Sequence, residues 1–343
     1  MKVLLLAFAG LASLQLTAQQ FPPRSIPARS IPVPDDVSPQ LRKAIAQPVS
    51  PHDAPSPKTA EEWRRFIRPI DENEAKLASA LAQKLHVSVE PATIAGVPVF
   101  HVRPEHIPDR NQGRLLMHVH GGAYVLFGGR AATTEAVLVA HYAGMQVVSV
   151  DYRMPPAAPF PAAIDDSVAV WKELIKAHNP RSTGLFGTSA GGGLTLATVL
   201  KLKELREPLP GALLAGTPWA DLTKTGDTES TNEWIDDVLV KYQGSLEASA
   251  RLYAGSHDLK EPLLSPVYGD LSGFPPAVLL SGTRDLFLSD TVRVHQKLLH
   301  AGVEAQLLVL EGQSHAQYLD DDIPESQAAM REVAEFFERH LSR

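Results

Sequence analysis

The sequence predicts an α/β fold in which a mostly parallel central sheet is flanked by helices and carries a helical cap. Two observations support this prediction. From residue 87 onwards, short β-rich runs alternate with longer helical stretches, and such alternation requires crossover connections between parallel strands. Between residues 218 and 274 the alternation stops and only helical spacing continues, which indicates an inserted segment.

Apolar runs bounded by turn residues predict seven strands, and apolar residues at helical spacing predict five helices around them. The strands lie near Val97–Val102, Leu115–His120, Val147–Tyr152, Gly184–Phe186, Ala212–Ala215, Ala277–Ser281 and Gln306–Leu310. The helices lie near Ala131–Ala143, Ala162–His178, Ala190–Arg206, Asp290–Ala301 and Gln327–Leu341. The inserted segment is predicted to form two more helices, over about 234–242 and 246–253.

The first 18 residues predict a signal peptide. Lys2 supplies a positive charge, Val3 to Leu14 form an apolar run, and Leu16-Thr17-Ala18 supply a cleavage end. We therefore expect an exported protein, periplasmic or secreted. An uncleaved hydrophobic N-terminal helix is the alternative. The run is too short to span a bilayer, so we expect no stable membrane insertion.

Two further segments precede the catalytic domain, which we place at residues 87–343. Residues 19–58 form a proline-rich arm, because ten of the 28 prolines lie between Phe21 and Pro57 and oppose regular structure. Residues 59–86 have the spacing of two amphipathic helices broken around Pro69. We expect these helices to form half of a cap, and the insertion at about 218–274 to complete it.

Composition narrows the classes of function. The chain has 343 residues, 44% of them hydrophobic, with a net charge of -7, which is a globular composition without the positive charge that nucleic acid would attract. It has no cysteine. Disulfides and a lipid-modified cysteine are thereby excluded, so we expect a protein free of a lipid anchor.

A candidate nucleophile lies in the motif Gly187-Thr188-Ser189-Ala190-Gly191. An apolar strand precedes it and a good helix former follows it. Glycines two places on either side of Ser189 allow the sharp strand-to-helix turn that exposes a catalytic serine. Since a serine hydroxyl is a weak nucleophile at its usual pKa, it needs a base, a carboxylate that orients the base, and donors for the oxyanion.

The donors are predicted in a second motif, His120-Gly121-Gly122-Ala123, which follows the strand Leu115–His120. A glycine pair lets the backbone approach a substrate with free amides. We assign the oxyanion hole to the amides of Gly121, Gly122 and Ala190. His120 itself is interpreted as structural, and the alternative for the motif is a plain glycine turn.

The carboxylate and the base are predicted at the carboxyl ends of two later strands, where α/β sheets place their chemistry. Asp285 follows the strand Ala277–Ser281 and is the orienting carboxylate. Asp290 competes with it, although it lies where a helix begins and suits an N-cap. His315 follows the last strand and is the general base. The chain order Ser189, Asp285, His315 is that of an α/β-hydrolase fold.

These motifs resemble those of the bacterial hormone-sensitive-lipase-like esterases, the family IV type of the α/β-hydrolase superfamily. The resemblance runs from about His86 to the C-terminus. Its remaining motifs are Asp151-Tyr152-Arg153-Met154-Pro155, Phe160-Pro161-Ala162-Ala163 and Pro218-Trp219-Ala220-Asp221-Leu222. The elbow is similar to that of the branch reading GTSAGG. The resemblance implies carboxylester hydrolysis without cofactor, a two-part cap, and the triad named above.

The sequence departs from the family at two positions. An acidic residue is frequent in the family where Thr188 stands, and another where Ala157 stands. We therefore expect a changed hydrogen-bond network around the elbow and an unchanged triad.

The expected ligand is a small-molecule ester with a short to medium acyl chain, with no metal and no nucleic-acid partner; a homodimer is left open. Tyr124 and Trp219 are candidates for contact with the substrate, and core packing is the alternative for both. Other classes also stay open. They are a serine peptidase or lactonase of related fold, a metal hydrolase built on His118 and His120, and a non-catalytic binding protein on a hydrolase scaffold.

Overall fold

The computed structural model describes residues 24–49 and 55–342. The chain divides into two compact units, Met1–Pro32 and Val33–Arg343. The described part of the first unit has no helix or strand, and every element below belongs to the second unit. The predicted signal peptide lies outside the described residues and stays a prediction. Among the residues described, no helix has both the length and the apolar character that crossing a bilayer requires.

Eight strands form one sheet in the order β1-β2-β4-β3-β5-β6-β7-β8. Their bounds are β1 Val87–Ile94, β2 Val97–Pro104, β3 Leu115–Val119, β4 Gln146–Val150, β5 Thr183–Thr188, β6 Ala212–Gly216, β7 Ala277–Gly282 and β8 Ala305–Leu310. The pairs β1–β2 and β2–β4 are antiparallel, and all other pairs are parallel. The predicted fold class, a mostly parallel α/β-hydrolase sheet, is confirmed.

Nine α-helices accompany this sheet in the described part of the chain. Their bounds are α1 Pro39–Ile45, α2 Ala60–Lys84, α3 Thr134–Ala143, α4 Ala162–Leu174, α5 Ala190–Leu205, α6 Thr228–Thr231, α7 Ser245–Ala254, α8 Leu288–His300 and α9 Pro324–His340. All five helices predicted around the strands are present, with ends that differ by a few residues.

The sheet is buried on both faces, which explains why its central strands read as continuous apolar runs. Two consecutive residues of β6 show this: Leu213 joins a core with α4, α5 and α8, whereas Leu214 joins a core with α3 and α9. Side chains along a strand point to opposite faces. Because β3, β5, β7 and β8 run parallel, their carboxyl ends lie along one edge of the sheet, between two layers of helices.

The predicted break at Pro69 is wrong, because α2 continues through it as one helix of 25 residues. Proline inside a helix removes one hydrogen bond and crowds the preceding turn. Here Pro69 is exposed to water, while Trp63 on one side of it and Ala78 on the other are buried. A capping box between Thr59 and Glu62 stabilises the first turn.

The proline-rich arm contains one helix that was not expected. In α1, Pro39 occupies the first turn, where a missing N–H costs nothing. The N-cap residue Ser38 is held by Glu325, which accepts from its backbone N at 2.6 Å and its Oγ at 2.7 Å. Leu41 is buried against Ile323. Tertiary packing on α9 thus outweighs the unfavourable local composition.

The inserted segment contains no strand, as predicted, and α7 confirms the second of its two helices. The first is wrong: residues 234–242 form turns, and the short α6 lies earlier. Trp234 and Val240 have left-handed φ angles of 65° and 61°, and Trp234 N donates to Val240 O at 2.8 Å. A hydrogen-bonded loop replaces the predicted helix. The polar side chains in and just before this loop, Asp236 and Asn232, bind the loops around residues 285 and 315. The antiparallel edge strand β1 was also missed.

Candidate active site

Ser189 lies in the turn between β5 and α5 in a strained conformation, with φ 62° and ψ -124°. Its backbone N donates to Gly216 O at 2.8 Å. The flanking positions have no room for a side chain. A Cβ would lie 2.2 Å from Val119 O if added to Gly187, and 2.1 Å from the same atom if added to Gly191. The predicted sharp turn is therefore present, and strain of this kind occurs at functional sites.

Asp285 and His315 lie together, although 30 residues separate them. His315 Nδ1 is 2.9 Å from Asp285 Oδ1, and both side chains are buried. Asp285 also accepts from Ser281 Oγ at 2.5 Å and from Phe287 N at 2.9 Å. Because a carboxylate only accepts, Nδ1 carries the proton and Nε2 is left with a lone pair. Nε2 has no hydrogen-bond partner in the described protein.

The two motif glycines lie beside the nucleophile. A Cβ on Gly121 would be 2.8 Å from Thr188 O and 3.4 Å from Ser189 Cβ, and Gly122 has a φ of +99°. Ala190 is the first residue of α5, so its amide has no acceptor within the helix. Gly121 thus lies against the turn of Ser189, and both glycines line the same cavity as Ser189. The oxyanion hole at the amides of Gly121, Gly122 and Ala190 stays a prediction.

Asp71 of α2 anchors the loop that follows these glycines. Its carboxylate accepts from Phe127 N at 2.7 Å and Gly128 N at 3.3 Å. Asp151 accepts from the next amide, Gly129 N, at 2.9 Å. Burial raises the pKa of Asp71, and the two amides lower it. The sequence analysis missed Asp71, whose only sequence signal is a carboxylate on a helix assigned to the cap.

A buried polar network supports the residue before the nucleophile. Thr188 Oγ1 lies 2.7 Å from both Glu135 Oε1 and Tyr318 OH. Glu135 Oε2 is 3.1 Å from His118 Nε2. The hydroxyl has one proton, which it gives to the carboxylate, so Tyr318 donates to Thr188. Helix α3 thus brings the carboxylate of Glu135 to the residue that precedes the nucleophile.

His118 and His120, the histidines of the metal-hydrolase alternative, have separate partners. His118 is held by Glu135 and by Ser149 Oγ at 2.9 Å. His120 Nδ1 is 2.8 Å from Gly121 O, and its ring stacks on Tyr152 at 4.1 Å between centroids. Burial lowers the pKa of His120 to about 3. These contacts agree with the structural role expected for His120.

Asp290 does not cap α8, because it lies inside the first turn of that helix. Its Oδ2 accepts from Ala220 N at 3.0 Å and Asp221 N at 2.9 Å. It contacts neither His315 nor Ser189 through any hydrogen bond described. The choice of Asp285 as the partner of His315 therefore agrees with the geometry, and the N-cap interpretation of Asp290 is wrong.

Tyr124 and Trp219 lie in the core, outside the cavity at Ser189. Tyr124 stacks on Tyr253 with centroids 3.9 Å apart, and Trp219 stacks on Phe287 at 5.4 Å. Both rings are buried, at 2% and 0% exposure. The expected substrate contact is thus corrected to core packing, since apolar neighbours on all sides offer a large ring more buried area than a cavity wall would.

A cavity of about 540 Å³ opens at Ser189 and His315. Apolar side chains from α2, from the inserted segment, from the loop after Gly122 and from the turn after His315 line it: Phe66, Leu126, Phe127, Val238, Leu239, Leu246 and Leu319. Glu74, His118 and Glu135 also reach it. Both segments predicted to form the cap thus border the cavity, although the domain boundaries themselves stay predictions.

A model of the α/β-hydrolase fold family matches residues 116–319. Among curated proteins, the chain is 35% identical over 208 residues to an acetyl-hydrolase of Streptomyces hygroscopicus, covering 60% of this chain and 69% of that protein. It is 34% identical over 251 residues to the putative acetyl-hydrolase LipR of Mycobacterium tuberculosis, covering 73% of this chain and 80% of that protein.

Solved structures agree with these sequence matches. The crystal structure of esterase E25 superposes with a TM-score of 0.89 at 45% identity, covering 93% of this chain and 99% of that chain. An esterase of the bacterial hormone-sensitive lipase family superposes with a TM-score of 0.76 at 29% identity, covering 89% and 99%. The chain therefore belongs to the α/β-hydrolase fold family and, within it, to the bacterial hormone-sensitive-lipase-like esterases, which are carboxylic ester hydrolases.

Proposed function

We propose that the protein is a serine carboxylesterase that hydrolyses short- to medium-chain acyl esters through an acyl-enzyme intermediate. The observation that carries this proposal is the 2.9 Å contact between His315 Nδ1 and Asp285 Oδ1. It leaves Nε2 as an acceptor in the cavity that holds Ser189. A base of this kind, oriented by a buried carboxylate, is what a serine hydroxyl needs for attack.

Acylation begins when Ser189 Oγ attacks the ester carbonyl carbon and His315 Nε2 takes the hydroxyl proton. The carbonyl oxygen becomes an oxyanion, which the amides of Gly121, Gly122 and Ala190 stabilise. Asp285 stabilises the imidazolium that has formed. The tetrahedral intermediate then collapses, the carbon–oxygen bond to the alcohol breaks, and the leaving alcohol takes the proton from Nε2.

Deacylation repeats these steps with water. His315 takes a proton from the water as its oxygen attacks the acyl carbon, and the same amides stabilise the second oxyanion. Collapse releases the carboxylic acid and returns the proton to Ser189 Oγ. No step requires a cofactor, because His315 moves every proton and the backbone amides bear the developing charge.

The size and walls of the cavity support a preference for short to medium acyl chains. A space of about 540 Å³ suits a small ester, and residues from α2 and the inserted segment narrow it on two sides. Two relatives carry the name acetyl-hydrolase, which favours small acyl groups here also. We expect turnover to fall once the acyl chain exceeds about eight carbons.

The test is hydrolysis of p-nitrophenyl esters with acyl chains of two to sixteen carbons by the wild type and Ser189→Ala. The proposal predicts turnover that peaks at short chains and a loss of at least about 10³-fold in the alanine variant. Ser249→Ala is the matched control, because it removes another hydroxyl that lines the cavity. In the wild type, the Ser249 hydroxyl donates to Ser245 O within α7 and not to any residue of the proposed triad.

Each other outcome contradicts a part of the proposal. Turnover that survives in Ser189→Ala would exclude the serine mechanism. Equal or faster hydrolysis of long-chain esters would contradict the proposed acyl range. A wild-type protein that neither turns over any ester nor reacts with an organophosphate at Ser189 would favour the binding-protein alternative.

We also propose that the protein is exported and that its first 18 residues are removed. The basis is the sequence of Lys2 and the apolar run after it. N-terminal sequencing of the protein recovered from the periplasm or medium of a bacterial host tests this, and a new terminus at residue 19 is expected. An intact Met1 in the cytoplasmic fraction would contradict it.

A further inference from the structure

The loop of residues 232–239 in the inserted segment contacts the two loops that carry Asp285 and His315 of the proposed triad. Its centre is Asp236, which is fully buried. Asp236 Oδ2 accepts from Leu286 N at 2.8 Å, and Leu286 directly follows Asp285. Asp236 Oδ1 accepts from the backbone N of His315 itself at 3.4 Å. One carboxylate from the cap side thus binds the loops of both Asp285 and His315.

The same carboxylate also shapes the cavity wall. Asp236 Oδ1 accepts from Val238 N at 2.9 Å and Leu239 N at 3.1 Å. The side chains of Val238 and Leu239 line the cavity at Ser189. Asp236 therefore joins the wall that a substrate would contact to the loops that carry the base and its carboxylate.

Two further residues of this loop bind the same two loops through uncharged groups, the side-chain amide of Asn232 and the backbone N–H of Asp237. Asn232 Nδ2 donates to Asp285 O at 2.9 Å and Thr283 O at 3.2 Å. Asp237 N donates to the Oγ of Ser314, the residue before His315, at 3.2 Å. The contacts of this loop therefore fall on or beside residues 285 and 315.

We propose that Asp236 is a positioning residue for the esterase reaction: it holds the Asp285 and His315 loops to the cap, and its negative charge favours the protonated form of His315 during proton transfer. This inference rests on the serine-esterase function proposed above. Asp236 touches no reacting atom, so its action passes through His315 and Asp285. A second carboxylate beside an Asp–His pair adds to the stabilisation of the imidazolium.

The charge of Asp236 is held where water is excluded. Four backbone N–H groups compensate for its burial. Burial and, next, the charge of Asp285 raise the pKa of Asp236 to about 6, while His315 lowers it. Above about pH 6 the carboxylate is ionised and acts as proposed; below that value it gains a proton and the effect is lost.

Other charged side chains lie on the segments that meet at Asp236. The loop after β7 carries Asp285 and Arg284, the loop after β8 carries His315 and Glu311, and the inserted segment carries Glu233, Asp237 and Lys241. Asp285 and His315 act on Asp236 electrostatically. The neighbouring carboxylate of Asp237 accepts no hydrogen bond at its buried Oδ1. Asp237→Asn is the matched control, because it removes a charge next to Asp236 while the backbone contact of residue 237 with Ser314 stays.

The experiment compares pH profiles of kcat/KM and kcat for the wild type, Asp236→Asn and Asp237→Asn with p-nitrophenyl butyrate. In Asp236→Asn the side-chain NH₂ group replaces one carboxylate oxygen. It faces a backbone N–H, which also donates, so at least one hydrogen bond to the neighbouring loops is lost. We expect kcat to fall about ten- to hundredfold and KM to change little. We also expect the acid limb of kcat/KM to move to lower pH by about half a unit or more, whereas Asp237→Asn keeps the wild-type profile.

Asn232→Ala separates attachment from charge and covers the case in which Asp236→Asn does not fold. It should lower kcat without moving the pH profile. The inference is overturned by a folded Asp236→Asn variant with wild-type kcat and profile, by an equal shift in Asp237→Asn, or by Asn232→Ala with full activity. Failure of the esterase function is distinct, since the wild type would then show no serine-dependent turnover.

Discussion

Thr188 Oγ1 donates a hydrogen bond to Glu135 Oε1 at 2.7 Å, and so brings a carboxylate from helix α3 to the residue that precedes Ser189. Tyr318 OH donates to the same Thr188 oxygen at 2.7 Å. Tyr318 lies three residues after His315. The network thus connects the nucleophile turn to the chain that carries the base, through side chains that are almost fully buried.

We predict that Thr188→Val destabilises the protein by about 2–4 kcal/mol and lowers kcat. Valine has the same shape, but it removes the hydroxyl that pairs with the buried Glu135 Oε1 and with Tyr318 OH, while Glu135 Oε2 keeps its contact with His118. The matched control is Thr198→Val, because Thr198 is buried in α5 and its hydroxyl has no hydrogen-bond partner. Its replacement should be neutral or stabilising. Urea unfolding and ester hydrolysis measure both effects, and equal stability losses in the two variants would argue against the network.

Asp285→Asn is expected to lower kcat about 10⁴-fold while leaving the fold intact. An amide nitrogen opposite His315 Nδ1 favours the tautomer whose Nε2 bears a proton, so the base can no longer accept one from Ser189. His315→Ala should cost at least as much. Steady-state kinetics on p-nitrophenyl butyrate test both, with the exposed Asp270→Asn as control. A variant that retains a tenth of the wild-type activity would remove its residue from the mechanism.

Gly121→Ala should reduce kcat about 10²-fold or more. The added Cβ would lie 2.8 Å from Thr188 O, so the backbone must move and take the oxyanion donors out of place. Gly128→Ala in the same loop is the control, because its Cβ would meet Met154 Cε at an ordinary 3.5 Å. Kinetics and circular dichroism of the two variants give the comparison. Wild-type kcat in Gly121→Ala would show that the amides are not used as assigned.

Glu229 is expected to make stability depend on pH. Burial, with a further contribution from Asp221, raises the pKa of Glu229 to about 7, from 4.5. A raised carboxyl pKa favours the neutral form in the fold. The stability from this group is therefore complete below about pH 4.5 and is lost as pH rises through about 7.

Glu229→Gln stays neutral at every pH, so it should exceed the wild type by about 2 kcal/mol at pH 8 and match it near pH 4.5. Chemical unfolding at the two pH values measures this difference. The control is Glu247→Gln, at a partly exposed carboxylate whose partner is Arg251. A difference between Glu229→Gln and wild type that does not change with pH would contradict the shifted pKa.

The sheet was predictable from the sequence because buried parallel strands read as short apolar runs. Strand β1 escaped detection because it is an antiparallel edge strand that contains Glu90 and Pro91, and most of its residues are partly exposed. The turns at 234–242 were read as a helix because Trp234 and Val238 have helical spacing. In the structure both are about half exposed, whereas Val240 and Tyr242 are buried, so the side chains that contact the core do not follow the helical spacing.

The candidate triad could be read from the sequence for a local reason: Ser189, Asp285 and His315 each lie in the loop or turn that follows a recognisable strand. Parallel strands bring their carboxyl ends to one edge whatever the helices do. The types of these residues and their positions after strands were therefore determined by the sequence alone.

Only the tertiary structure decided which other groups support them. Glu135 reaches Thr188 across 53 residues, Asp71 reaches Phe127 across 56, and Asp236 reaches His315 across 79. None of these carboxylates lies in a motif or after a strand. Their partners are set by how α2, α3 and the inserted segment pack on the sheet edge, and a hydrogen bond of about 3 Å depends on that packing and not on local spacing.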